Sequence, residues 1–266
     1  RGGRTMSSIR DLTATRLGVI TNREDEWSLR MLMVNSARRF LVLTTYYLGN
    51  DERGCRMAEA LLAAVHRGVR VVLVVDRFGQ RLAQNLSRPS GDTGLQERLR
   101  DIAAAGGLVV HYSPLALRHR LIGGGLHVKI QVSDGGVAIF GSSNIAHHSF
   151  AQWAEVSLKL EGDIVAHLLG EACRFARLSA EETALLTGFL PLLCASGTTR
   201  RLRYVREDPA EQSGPLFPFG SVRNRLTDEL VKLVDGARQS LRIASLYCKP
   251  APVLKAALMR ACRRGV

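Results

Sequence analysis

His127, Lys129, Asp134, Ser142, Asn144 and Glu155 fall within one short stretch of the sequence and have types and spacings suited to phosphate chemistry. His127 and Lys129 are two places apart in HVKIQVS, a segment with the character of a strand. Residues i and i+2 of a strand project from the same face, so an imidazole and an ammonium stand side by side. Such a pair suits a phosphate: the lysine holds anionic oxygens, and a neutral histidine attacks phosphorus or shuttles a proton. Asp134 sits at the turn that follows. Ser142 and Asn144 alternate at the end of the next strand, where they can share a face and offer neutral hydrogen-bonding groups to phosphate oxygens. Glu155, on the strand after that, is placed to accept a hydrogen bond from the second ring nitrogen of His127, fixing its tautomer and raising its basicity. The competing reading is a core histidine beside a solvated lysine.

The elements around this stretch form a repeating pattern. Strands are expected over 16–21, 40–48, 69–76, 108–113 and 155–162, and helices over 25–38, 57–68, 95–106 and 163–188. The runs HVKIQVS and VAIFGS flank Asp134-Gly135-Gly136, a strong hairpin signal. Residues 77–93 are polar, contain Pro89, Ser90 and Gly91, and read as a loop; 189–220 is rich in Gly, Pro, Ser and Thr and reads as a linker. Strands alternating with helices imply an α/β sandwich with a mixed, largely parallel sheet.

The pattern then restarts. VNSARRFLVLTTYYL at 34–48 resembles VDGARQSLRIASLYC at 234–248, and LLAAVHRGV at 61–69 resembles LMRACRRGV at 258–266. Arg-Gly-Val leads into a buried strand in the first copy, whereas in the second the sequence stops at Val266. The chain therefore reads as part of a longer two-repeat protein: residues 1–188 a first repeat, 189–220 a linker, 221–266 the start of a second.

Composition narrows the partners. A net charge of +13 favours a polyanion: nucleic acid, an anionic membrane surface or a phosphorylated substrate. The five cysteines are scattered and odd in number, with no CxxC pair, which argues against a disulfide framework and a zinc site and makes a reducing interior the default compartment. No apolar run reaches the roughly 20 residues of a membrane span. Residue 1 is arginine, so a targeting segment can lie upstream. Of the other histidines, His147 and His148 follow the motif and are candidates to line its pocket. His119, between Arg118 and Arg120 in a basic loop, is a candidate for contact with an anionic head group. His66, His111 and His167 read as surface or structural residues.

H-V-K-I-Q-V-S-D, six residues and then G-S-S-N resemble the HxKxxxxD…GSxN signature of the phospholipase D superfamily. His127, Lys129, Asp134, Gly141, Ser142 and Asn144 occupy its fixed positions, and Glu155 falls where the family often has a carboxylate contacting the histidine. YYLGNDERG and LLAAVHRGVRVVLVVDRFG resemble the opening of the first repeat in cardiolipin synthase-like members. The resemblance covers roughly 20–180 and 221–266. It implies an α-β-α sandwich in which two motifs meet across a pseudo-twofold axis. One histidine, His127 by position, forms a covalent phosphohistidine, and the other protonates the leaving alcohol. Lys129 and Asn144 would bind phosphate with Ser142 in support, Asp134 would hold the motif's geometry, and no metal or other cofactor is needed. The expected activity is phosphatidyl transfer of cardiolipin synthase type. The alternatives are phosphodiester hydrolysis, on lipid or nucleic acid, and an inactive fragment. The expected partners are an anionic phospholipid at a membrane surface, with nucleic acid less favoured, and a second motif from the missing repeat or from a homodimer partner. The expected location is peripheral, on the cytoplasmic face of a membrane. This chain carries a single copy of the signature.

Overall fold

The structure, a computed structural model, describes residues 9–86, 94–113, 125–191, 200–205, 225–244 and 250–266. The chain forms two compact units, Thr13–Arg201 and a second made of Arg1–Leu12 with Leu202–Val266.

A seven-stranded mixed sheet organises the first unit: β2 (Arg16–Ile20), β3 (Phe40–Thr45), β4 (Arg70–Asp76), β5 (Leu108–Tyr112), β6 (Lys129–Ser133), β7 (Val137–Gly141) and β8 (Ser157–Glu161), in the order β2-β8-β7-β6-β3-β4-β5. The α/β class is as expected, but the sheet is not largely parallel. Only β3-β4 and β4-β5 pair in parallel, while β3-β6, β6-β7, β7-β8 and β2-β8 are antiparallel. The reason is local: the Asp134-Gly135-Gly136 turn reverses the chain between β6 and β7, and no helix crosses over there.

Helices cover both faces. On one, α1 (Arg23–Ser36), α2 (Glu52–His66) and α4 (Leu95–Ala104) bury Trp27, Val34, Leu61 and Ile102 against Leu41, Leu43, Leu73 and Val75. The short α5 (His147–Ala151) lies beside α1 and α2; on the other face, α6 (Asp163–Ala176) runs across β3 to β8, with α7 (Ala180–Gly188) packed on it. β3 is buried along its whole length, which explains the apolar run at 40–43. Asn22 caps α1 by accepting from the Glu24 and Asp25 amides, and three acidic residues fill the first turn. Asp51 caps α2 in the same way, at 3.0 Å from the Gly54 amide, so this helix begins well before the position its apolar spacing suggests.

Residues 77–86, expected as loop, form helix α3 (Arg77–Leu86). The Asp76 carboxylate accepts from the Gly79 amide at 2.8 Å and starts the helix, whose inward residues Gly79, Gln80 and Ala83 are too weakly apolar to show its period. β9 (Arg200–Val205) likewise interrupts the expected linker and pairs with β1 (Ile9–Ala14), a strand with no clear sequence signal.

In the second unit α8 (Arg225–Gly236) and α9 (Pro252–Arg263) pack through Val234, Ala257 and Ala261. Of the expected second-copy strand, the described residues 241–244 form no ladder, and 245–249 lie outside the described residues. The two copies nonetheless end their helices alike. Arg67 donates to the Val34 carbonyl at 2.8 Å, and Arg264 donates to that of Val234 at 3.1 Å. Gly68 and Gly265 both take positive φ, 83° and 79°, and Val69 and Val266 each reach back to an alanine carbonyl, of Ala64 and Ala261, at 3.1 Å.

Candidate active site

The strand directions bring the carboxyl ends of β3, β4 and β7 and the amino ends of β6 and β8 to one end of the sheet. His127 stands just before β6, exposed, with its ring edge-on to Tyr46 at 4.8 Å between centroids. Lys129 opens β6 and is 2% exposed. Its Nζ donates to the His127 carbonyl at 2.9 Å and lies 5.7 Å from the centre of the Tyr46 ring. Burial pushes the Lys129 ammonium down to about 8, opposed by the charge of Glu155. Burial, and then the Lys129 charge, lower the pKa of the His127 imidazole, so it is neutral and available as a nucleophile at neutral pH.

Asn144 follows β7 and is buried; its Oδ1 accepts from Thr45 Oγ1 at 3.4 Å. Burial raises the Tyr47 phenol to about 12, and its hydroxyl contacts His148 Nε2. His148 therefore belongs to this cluster, with the Trp153 ring tilted against it at 4.1 Å between centroids. His147 is exposed, with its amide held by Asp51 at 2.9 Å. His119 lies outside the described residues.

Two expected roles look different in the structure, those of Ser142 and Glu155. Ser142 does not share the outlook of Asn144: its hydroxyl donates to the Val156 carbonyl at 3.2 Å and accepts from the Val156 amide at 3.1 Å, tying the motif to the approach to β8. Regular alternation ends with β7 at Gly141, which is why the shared face is lost. Glu155 makes no hydrogen bond to His127; its charge acts on Lys129, Tyr47 and His148. Asp134 is at the opposite end of β6. It accepts from the amides of Arg38 and Arg39 at 3.0–3.2 Å and locks the α1–β3 junction. It is remote from His127, and its contacts are architectural.

Other supporting residues went unnoticed in the sequence. Asp76, buried at the end of β4, accepts from the Leu126 amide at 2.7 Å and so fixes the residue before His127. Burial raises its carboxyl, against the lowering effect of the Gly79, Leu126 and Phe78 amides. A side chain at Gly125 would place its Cβ 2.6 Å from Asp76 Oδ2, so only glycine admits this approach. A second buried carboxylate, Glu26, gathers Arg23, Arg30, Ser143 at 2.9 Å and Ser157 at 2.8 Å. Arg30 in turn donates to Gln131 Oε1 at 3.2 Å, and the Gln131 amide donates to the Arg30 carbonyl at 2.9 Å. Helix α1 is thereby clamped to β6, to β8 and to the residue before Asn144. At Gly141 a Cβ would sit 2.6 Å from Ser157 Cα, which accounts for the glycine there. The partial signal for Glu26 was its i,i+4 spacing to Arg30.

This end of the sheet offers a neutral imidazole, a buried ammonium and an amide with hydroxyls, an arrangement able to bind a phosphodiester and attack it. Among the described residues no three His, Cys, Asp or Glu side chains are gathered to hold a metal, and no described helix is long and apolar enough to cross a membrane.

Residues 31–174, more than half of the chain, match the family described as "Cardiolipin synthase, PLD-like domain". Cardiolipin synthase B of Escherichia coli is 25% identical over 267 residues, covering 94% of this chain and 58% of its own length. The major cardiolipin synthase ClsA of Bacillus subtilis is 23% identical over 259 residues, covering 93% and 49%. The chain thus spans about half the length of these relatives. Among solved structures, the phosphatidylserine synthase of Haemophilus influenzae is 14% identical with a TM-score of 0.49, covering 68% of this chain and 44% of that one. The phospholipase D family member Nuc of Salmonella typhimurium is 17% identical with a TM-score of 0.43, covering 63% and 95%.

Proposed function

This chain belongs to the PLD-like domain family of cardiolipin synthases, and from that premise we propose that it supplies one half of a phosphatidyltransferase site. In the proposed reaction a ring nitrogen of His127 attacks the phosphorus of a phospholipid phosphodiester. The P–O bond to the leaving glycerol breaks, and that oxygen takes a proton from a second histidine. The same histidine then removes the proton of an acceptor alcohol, whose oxygen attacks phosphorus and frees His127. Lys129 holds the charge on the phosphoryl oxygens and Asn144 donates to them, in the manner of an oxyanion site. The second histidine would come from a second motif. The matched helix endings at Arg67-Gly68-Val69 and Arg264-Gly265-Val266 support reading 221–266 as the start of a second repeat that carries it. Another copy of the chain is the other source. The observation that carries the proposal is His127 and the buried Lys129 set together against the Tyr46 ring, in the family's motif. The relatives' activity and the chain's charge of +13 favour a membrane-bound anionic lipid as substrate, met peripherally at the cytoplasmic face.

The test is an assay of the purified protein with phosphatidylglycerol. Cardiolipin and glycerol as products support transfer, and phosphatidic acid would move the reading to hydrolysis. Cleavage of DNA with no turnover of lipid would overturn it.

A further inference from the structure

We propose that Asp76 is the positioning residue for His127, holding the histidine from two sides: its backbone through the Leu126 amide, and its ring through Gly79 and Tyr46. The proposal rests on the reading of His127 as the nucleophile. Residues 125–128 lie outside the ladders of the sheet, since β6 begins at Lys129, paired with Gly141. The strand that carries the motif therefore does not by itself place its histidine. Attack on phosphorus is sensitive to placement, and an error of about 1 Å costs on the order of a hundredfold in rate. Something else has to fix His127.

Asp76 does so from the last position of β4, where it is paired with Tyr112 of β5 and is 1% exposed. Its two oxygens have separate partners. Oδ1 accepts from the Gly79 amide at 2.8 Å, and Oδ2 accepts from the Leu126 amide at 2.7 Å. The first bond is ordinary capping of a helix start. The second reaches 50 residues along the chain, to the residue before His127. The carbonyls of His127 and Val128 are then taken by Lys129 Nζ at 2.9 Å and Thr44 Oγ1 at 3.0 Å. The segment is thus pinned at three successive residues, and Asp76 supplies the first pin.

The ring is set through the other oxygen. Gly79, held by Oδ1, lies directly on Tyr46: a Cβ there would come 2.4 Å from the Tyr46 carbonyl oxygen and 2.6 Å from its ring. The Tyr46 ring in turn stands edge-on to the imidazole at 4.8 Å and lies 5.7 Å from Lys129 Nζ. Burial and then the Asp76 charge raise the Tyr46 phenol, as a nearby carboxylate must. One side chain therefore fixes both the backbone of the histidine and the ring that the imidazole meets. Asparagine cannot take its place. Whichever way an amide is turned, its NH2 faces an N–H, and either the Leu126 or the Gly79 bond is lost.

The test compares Asp76→Asn with Ser179→Ala, which removes the capping bond of α7, a contact with no part in the site. Imidazole resonances are recorded in the 266-residue chain carrying isotope-labelled histidine, and His127→Asn assigns the His127 signal. Asp76→Asn should shift that signal as the ring moves relative to Tyr46. It should also lower kcat for phosphatidylglycerol by roughly 10–100-fold, with KM within about twofold. Ser179→Ala should lower the melting temperature alone. Three results would overturn the proposal: a His127 signal unmoved in folded Asp76→Asn, a loss of turnover carried by KM, or an equal loss of kcat in Ser179→Ala. If Asp76→Asn does not fold, Gly125→Ala carries the test. Its Cβ would sit 2.6 Å from Asp76 Oδ2 and push the approach to Leu126 off the carboxylate, so the same shift is expected and an unmoved signal overturns the proposal. A parent protein that does not turn over phosphatidylglycerol would count against His127 as the nucleophile, while the shift of its resonance still tests what holds it.

Discussion

Replacing Glu26 by alanine should damage both the stability and the site of this protein. Glu26 is completely buried and accepts from Arg23, Arg30, Ser143 and Ser157. Burial alone would raise its carboxyl, but the Arg30 charge and the Ser157 and Ser143 hydroxyls outweigh that and hold it below the ordinary value. Removing it leaves the Arg30 guanidinium, itself without exposure, facing Gln131 and no anion. Breaking a buried pair by deleting one partner costs about 3–5 kcal/mol. For a unit the size of Thr13–Arg201 that corresponds to a fall in melting temperature of roughly 6–20 °C. The measurement is thermal unfolding followed by circular dichroism at neutral pH. Glu26→Leu combined with Arg30→Met should recover much of the loss, because the unpaired charge is the main cost. The pH dependence has a definite sign. A carboxyl depressed in the folded state contributes stability above its unfolded value of 4.5, and that contribution is lost as pH falls through the lower folded value. The gap between parent and variant should therefore close in acid. A Glu26→Ala protein melting within about 2 °C of the parent would refute the clamp, since the smallest cost expected of a broken buried pair exceeds that.

The rate of lipid turnover should follow a bell in pH. Its acid limb should lie below the ordinary histidine value of 6.5, because His127 is depressed and must be neutral, and its alkaline limb near 8, as Lys129 loses its proton. An acid limb above 6.5 would contradict a neutral His127 as the nucleophile. Asp134→Ala strips the Arg38 and Arg39 amides of their acceptor and should cost about 1–3 kcal/mol in urea unfolding, while the midpoints of the pH profile stay in place. A shifted midpoint would mean that Asp134 acts on the site. Gly141→Val forces a side chain against Ser157 and should lower both melting temperature and soluble yield; normal behaviour would show that β7 and β8 can part there.

Much of this was legible because local chemistry and global fold agree. Residues 40–43 and 71–75 are apolar without interruption because helices cover both faces of these strands. The Asp134-Gly135-Gly136 turn gave the β6–β7 hairpin, and His127 and Lys129 both lie against Tyr46 although His127 precedes the strand. Helix α3 was hidden because its inward side needs only Gly79, Gln80 and Ala83, none strongly apolar, and its outward side carries Phe78 and Leu82 where polar residues are expected. The roles of Ser142 and Glu155 could not be read from spacing, since they depend on where the chain leaves β7 and how it enters β8. Asp76 and Glu26 act through backbone amides and hydroxyls far away in the sequence, 50 and 131 residues distant at the extremes, and no local pattern encodes such partners.

The central claim is that His127 carries the phosphatidyl group. It is tested most directly by acid-quenching the protein during turnover of radiolabelled phosphatidylglycerol and mapping the labelled peptide. The account predicts an acid-labile adduct on the peptide containing His127, absent in His127→Asn. Turnover with no adduct, or undiminished labelling in His127→Asn, would contradict it and move the nucleophile to another residue.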